Sequence, residues 1–356
     1  MKKFFALIVS LVMVVSLAGC NTPPKMGSGD KVIATSGSEK MYLRDYLYTL
    51  GSYKAQNESY IGQVMSLSAE EFEEYWAEES YVSPGFTMFD DLKDSAMGNA
   101  MEMAALYKLG KDSGFTYDEA ELKELKDSLA SSVLSLNSPE KTGERLFYEY
   151  YYVTIDEVCE VSKMISVIEQ YEASIQESIV VSDSDVQAYY NDPANAAAIE
   201  NLQEALVAHI LVQIPEEITE EADKAEYKAK ADDILARAQS GENFGQLAAE
   251  FSDDGGSKDN NGEYSVTRST SFVPEFLEWT FSANVGDFDI VETDYGYHVM
   301  HLISLQGYDE MAESIKGTVI QEKYNETLSQ ILTDAAMEWT VDEDLLATIK
   351  YSVYGE

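Results

Sequence analysis

The spacing of apolar residues changes twice along the chain, and the changes divide it into three stretches. Between residues 32 and 200 the dominant period is that of a helix. In "DSAMGNAMEMAALYKLGKDSG", Met97, Met101, Ala104 and Ala105 fall at i, i+4, i+7 and i+8, and the segment stops at Gly114. Similar patterns cover 117–135, 139–152 and 154–178. Ahead of them "KVIATS" reads as a short strand, followed by a turn at Gly37-Ser38. In "VVSDSDVQAYYNDPANAAAIE", Ser182 or Asp183 is placed to cap a helix that breaks at Pro193.

After Leu202 the period becomes two. "EALVAHILVQI" predicts a strand with Val207, His209 and Leu211 on one face and Ala208, Ile210 and Val212 on the other. A helix follows, "KAEYKAKADDILARAQSG", and then a second with Phe244, Leu247, Ala248 and Phe251 at i, i+3, i+4 and i+7. Beyond a polar Gly-rich loop come a short strand and a helix opened by Pro274. Two closing strands, "DFDIVET" and "GYHVMHLI", are joined by a tight turn at Asp294-Tyr295-Gly296. This order predicts an α+β domain, a small antiparallel sheet with helices packed on it. From Tyr308 a long helical pattern returns, with Met311, Ile315 and Val319 and then Tyr324, Leu328 and Ile331. Such a helix is too long for the small sheet, so 306–356 is expected to pack back on the N-terminal helices. The expected organisation is a helical module over 32–200, a sheet domain over 203–305 and the returning C-terminal helix.

The N-terminus changes the picture of where the chain works. Lys2 and Lys3 precede an apolar run from Phe4 to Leu17, too short for a confident membrane span. It ends in Leu17-Ala18-Gly19-Cys20, which resembles the bacterial lipobox. The resemblance implies removal of residues 1–19 and a lipid on Cys20, anchoring the protein outside the cell membrane. Residues 20–31, including "NTPPKMGSGDK", suit a flexible tether. Formal net charge is −41, and loss of Lys2 and Lys3 would take it to −43. A surface this acidic argues against nucleic acid as a partner and favours basic clients or cations, although acidity also serves solubility. With Cys20 lipidated, Cys159 is the only free thiol, so no intramolecular disulfide is available. Three histidines and one thiol form no metal-ligand spacing, and no metal is expected.

Four stretches carry the chemistry. "VAHILVQI", "GENFGQLAAEFSDD", "FVPEFLEWTF" and "VGDFDIVETDYGYHVMHLI", in that order over about a hundred residues, resemble the successive signatures of parvulin-type peptidyl-prolyl isomerases. Together with the lipobox and the flanking helices, the layout resembles the PrsA-type extracytoplasmic foldases of Gram-positive bacteria. The resemblance implies a hydrogen-bonded histidine pair at His209 and His298, with Thr293 beside them. Asp254 or its neighbour Asp253 takes the polar position near the rotating amide. The proline pocket is implied at Phe272 and Phe276, with Tyr264 and Leu211 contributing. Strand alternation independently sets His298 on one face with Met300 and Leu302, and turns His301 to the other.

Rotation about an X–Pro bond breaks nothing, so no cofactor is expected. The implied partners are unfolded or partly folded secreted proteins with X-Pro bonds. Chaperones of this shape can pair, and a homodimer is possible on that analogy, but no heptad seam demands one. The sequence departs from the family at "NGEYS", where Asn261 replaces a Gly, Tyr264 a Leu and Ser265 a Gly. Phe272 stands where Met is common. Phosphate-directed parvulins carry basic residues in the loop after the first strand; here that loop is the mostly acidic "PEEITEEADK" from Pro215, which would repel a phosphate, so phosphorylated substrates are not expected. A holdase, with clients held by the Met- and Tyr-rich helical module, is the alternative reading.

Overall fold

The computed structural model describes residues 29–351 apart from 69–70 and 139–140; Cys20 and the segment before it lie outside the described residues. In chain order the elements are β1 (Val32–Ser36), β2 (Glu39–Tyr42), α1 (Leu43–Met65), α2 (Glu71–Ala77), α3 (Met88–Asp112), α4 (Glu119–Leu134), α5 (Gly143–Tyr151) and α6 (Ile155–Ser178). Then follow α7 (Asp183–Asn191), a 3₁₀ turn (Pro193–Asn195), α8 (Ala196–Leu202), β3 (Ala205–Gln213), α9 (Glu221–Gln239), α10 (Phe244–Phe251) and β4 (Glu263–Val266). The last are α11 (Pro274–Ser282), β5 (Phe288–Thr293), β6 (Gly296–Leu305), α12 (Tyr308–Asp334), β7 (Thr340–Val341) and α13 (Glu343–Ala347). The α+β class read from the pattern is the observed one.

The chain divides into two compact units, one of residues up to Ser178 plus Tyr324 onward, the other Ile179–Lys323. In the first, α1 buries Leu43, Tyr46, Leu47 and Leu50, the i, i+3, i+4, i+7 stripe that makes one face of the helix apolar. They join Ile33 and Met41 from the β1–β2 hairpin and Phe89 and Leu92 from α3. Thr87 starts α3 with a capping box: its Oγ1 accepts the Asp90 N–H at 3.1 Å, and Asp90 Oδ2 accepts the Thr87 N–H at 3.0 Å. Such a cap contributes about 1 kcal/mol. Two short strands depart from the expected helical reading of this unit. Lys40–Tyr42 pair with β1, and the C-terminal helix ends at Asp334. Beyond it Thr340 and Val341 pair with Thr35 and Ala34. Tyr351 then donates to the buried carboxylate of Glu58 at 3.0 Å, which also accepts from Trp76 Nε1 at 3.1 Å. A two-residue strand whose partner lies some three hundred residues away leaves no local period to read.

The second unit is built on a four-stranded antiparallel sheet in the order β4-β3-β6-β5. Alternation sorts its side chains. Ile210, Val212, Tyr297 and Val299 face α9 and α10 and bury against Ile234, Ala238 and Leu247. Val207, Val291 and Met300 face α11 and pack on Phe276. The unit extends past the expected 203–305 at both ends, because Val186 of α7 packs with Met311, Ile315 and Val319 of α12. Ser182 caps α7, with Asp185 completing a capping box.

Candidate active site

His209 and His298 meet on the α11 face of the sheet. Register puts His298 opposite Leu211 and His209 opposite Met300, so the two histidines are diagonal neighbours. Their rings stack at 5.3 Å with 16° between planes, and the Nδ1 atoms lie 3.0 Å apart. Outside the pair, His209 Nε2 is 2.9 Å from Asp254 Oδ2, and His298 Nε2 is 2.9 Å from Thr293 Oγ1. Four side chains from β3, the loop after α10, β5 and β6 thus form one hydrogen-bonded line. Of the two candidate aspartates, Asp254 reaches the histidine. Asp253 turns back instead, its Oδ2 accepting the Gln213 N–H at 3.0 Å.

Donors and acceptors run in one direction along this line. Burial opposes a charge on Asp254, but hydrogen bonds from Ser257, Gly256, His209 and Tyr264 outweigh it and hold its carboxyl well below the usual carboxylate range. An ionised Asp254 accepts only, so His209 must carry its proton on Nε2. Its bare Nδ1 then accepts from His298 Nδ1–H, which leaves His298 Nε2 to accept the Thr293 hydroxyl. Thr293 Oγ1 in turn accepts the Tyr295 N–H at 3.2 Å. Both rings are neutral in this arrangement, and their surroundings keep them so. Burial, then the neighbouring His209, pushes His298 down to about 4. Burial also lowers His209, against the pull of the Asp254 hydrogen bond and charge.

The sign of the pH effect follows. The unfolded chain takes up a proton on each histidine near pH 6.5, whereas the folded chain does so at His298 only near pH 4. The unfolded state therefore binds more protons between those values. Stability should be level above about pH 7 and fall toward pH 4, by at most about 1.4 kcal/mol per pH unit for each such histidine. Asp254 adds loss of the same sign at still lower pH. Urea unfolding followed through pH 8 to 4 checks this. A parent no more acid-sensitive than a His298→Phe variant would show that the buried histidine is not the cause.

An aromatic wall adjoins the line. Phe272 stacks on Phe276 with centroids 4.6 Å apart and 11° between planes, and Tyr264 meets Phe272 edge-on at 5.1 Å. Phe276 is 1 % exposed and sits edge-on to both histidines at 5.4 and 5.8 Å, so it lies beneath the half-buried Phe272. Tyr264 also donates its hydroxyl to Asp254 Oδ2 at 3.0 Å. Leu211 sits beside this set, its N–H donating to Ser252 Oγ and its carbonyl accepting the Asp253 N–H. His301 is not brought to the site: it stacks on Phe288 at 4.0 Å, with Phe244 nearby, on the opposite face.

Sequence reasoning missed Ser257 and Gly256. Ser257 is 1 % exposed and donates its hydroxyl to Asp254 Oδ2, while the Gly256 N–H donates to Oδ1 at 3.0 Å. The second contact is an Asx-turn, and "DDGGS" carries its signal in the Gly two residues after the Asp.

Residues 196–305 match the family model of the PPIC-type PPIase domain. This is a parvulin-type peptidyl-prolyl isomerase domain. The whole chain is also similar to proteins named foldase protein PrsA. One, from Caldanaerobacter subterraneus, is 25 % identical over 334 residues, covering 93 % of this chain and 92 % of that one. Another, from Clostridium botulinum, is 24 % identical over 341 residues, covering 92 % and 93 %. The crystal structure of peptidylprolyl isomerase (PrsA) from Bacillus cereus aligns at 21 % identity and a TM-score of 0.31, covering 77 % of this chain and 97 % of that one. The chain is thus a parvulin-type peptidyl-prolyl cis/trans isomerase and a homologue of the PrsA foldases. Among the described residues no helix is long and apolar enough to cross a membrane.

Proposed function

We propose that this parvulin isomerase is anchored through a lipid on Cys20 and speeds the folding of secreted proteins outside the cell membrane. Residues 1–19 would be the removed leader, 20–31 the tether, and 203–305 the isomerase proper, carried between the helical module and the returning C-terminal helix. The observation that carries the catalytic reading is the directed line Asp254–His209–His298–Thr293 lying against the Phe272–Tyr264 wall.

The chemistry required is rotation about an X–Pro bond, whose barrier of roughly 18–20 kcal/mol comes from amide resonance. Resonance loads negative charge on the carbonyl oxygen, and twisting the bond withdraws it. A fixed anion beside that oxygen disfavours the planar form more than the twisted one, which lowers the barrier. Asp254 is that anion in this reading. His209, His298 and Thr293 are positioning groups that keep its surroundings neutral and its donors aligned. Phe272, backed by Phe276, takes the proline ring, with Tyr264 and Leu211 at its edge.

The test is cis-to-trans exchange measured on unphosphorylated X-Pro peptides with the soluble chain from Asn21. Acceleration well above the uncatalysed rate is expected, together with membrane retention of the full chain that a Cys20→Ser variant loses. A folded chain that leaves exchange at the uncatalysed rate would sink the enzymatic half, and retention of the Cys20→Ser variant the anchoring half. A second reading, a holdase with a weak isomerase, is favoured by the two aromatic replacements. On this reading Tyr264, which meets Phe272 edge-on at 5.1 Å, narrows the pocket that the proline ring would enter. In that case a Tyr264→Leu variant should isomerise faster than its parent.

A further inference from the structure

The helical unit contains a groove that the isomerase does not use. It encloses about 790 Å³ between α1, α3, α6 and the second half of α12. Its floor is apolar and adaptable, formed by Tyr48, Tyr53, Met103, Ile165, Leu328 and Leu332, all half-buried. Three carboxylates stand on its lining, Glu102 on α3 and Glu169 and Glu172 on α6. Among the described residues that line it there is no lysine or arginine. Glu169 and Glu172 are one turn apart on the same helix, where like charges repel. Burial, and then Glu169, raises Glu172 above the usual carboxylate range. An anionic rim over a half-buried apolar floor gains from a cation that brings its own apolar surface, and gains little from an acidic or purely polar chain.

We propose that this groove binds a short cationic amphipathic segment of a non-native polypeptide, with aliphatic side chains on the Tyr–Met–Leu floor and a lysine or arginine against Glu172 and Glu102. The same charge complementarity runs through the whole chain, whose formal net charge is −41. The proposal takes its client class from the foldase reading, but it is independent of proline and of the Asp254 site.

The test uses the soluble chain from Asn21 and fluorescence anisotropy with three labelled, proline-free peptides of one length, patterned Leu/Lys, Leu/Glu and Ser/Lys. The Leu/Lys peptide should bind and the other two should not. A Glu102→Gln, Glu172→Gln double variant, checked by its unchanged thermal transition, should weaken Leu/Lys binding by about tenfold, the size expected when a partly shielded ion pair is lost. Equal binding of Leu/Glu or Ser/Lys would overturn the proposal, since floor or net charge alone would then suffice. Unchanged Leu/Lys affinity in the double variant would overturn it as well. A second variant, Met103→Asp, attacks the floor and should abolish binding; retained binding would place the peptide elsewhere. Asp254→Ala should bind the Leu/Lys peptide like the parent, so loss of isomerase activity and loss of groove binding are separable outcomes.

Discussion

Asp254→Ala is expected to reduce kcat/KM toward X-Pro peptides by about a hundredfold, the order of loss found when a preorganised electrostatic group is removed from an active site. The carboxylate accepts from four donors: His209 Nε2, Ser257 Oγ and Tyr264 OH on Oδ2, and the Gly256 N–H on Oδ1. Without it the His209 tautomer has nothing to fix it, and the order of donors along the line is lost. Because the deletion also strands buried donors, Asp254→Asn is the needed companion. Its oxygen still accepts while its charge is gone, so folding should survive and activity should not. If Asp254→Asn kept parental kcat/KM, the charge of Asp254 would have no part in catalysis. The readout is the peptide exchange rate, set beside the thermal transition of each variant.

Gly262→Ala is expected to cost the isomerase unit about 2–4 kcal/mol of stability, from a left-handed backbone and an overpacked neighbour together. Gly262 holds φ at +77°, and a Cβ there would come within 2.5 Å of the His209 carbonyl oxygen. That approach is used: the His209 N–H donates to the Gly262 carbonyl at 2.8 Å, which ties the site histidine to the start of β4. Asn261, one residue earlier, also has positive φ, at +57°. Asparagine tolerates that conformation, so the Asn in place of the family's glycine answers the backbone demand. Asn261→Gly should therefore shift stability by only a few tenths of a kcal/mol either way. Calorimetric scans of both variants check the pair. A Gly262→Ala transition within about a degree of the parent's would mean that the loop relaxes away from His209 at little cost.

How far the candidate site is legible depends on the range of the interaction. Alternation along β6 is local and steric, so it separates His298 from His301 without coordinates. The partner of His298 is not local: His209 lies 89 residues earlier, and only the β3–β6 register makes them diagonal neighbours. The choice between Asp253 and Asp254 is of the same kind. Adjacent aspartates look alike in the sequence, and the turn after α10 sends one to His209 and the other to the Gln213 N–H. The burial of Phe276 beneath Phe272 follows from α11 seating on the sheet, which no spacing reports.

The sequence by itself determined the class of each long element, the tight turn of the β5–β6 hairpin, and the family of the sheet domain. Each is set by residues a few positions apart, where side-chain period and backbone preference act. Only the tertiary structure decided that β1 takes β7 as a partner, that α7 and the first half of α12 belong with the sheet unit, and that four polar side chains from four segments form one directed line. Those outcomes rest on contacts between residues tens to hundreds apart, whose free energy appears only when the chain closes the loops between them.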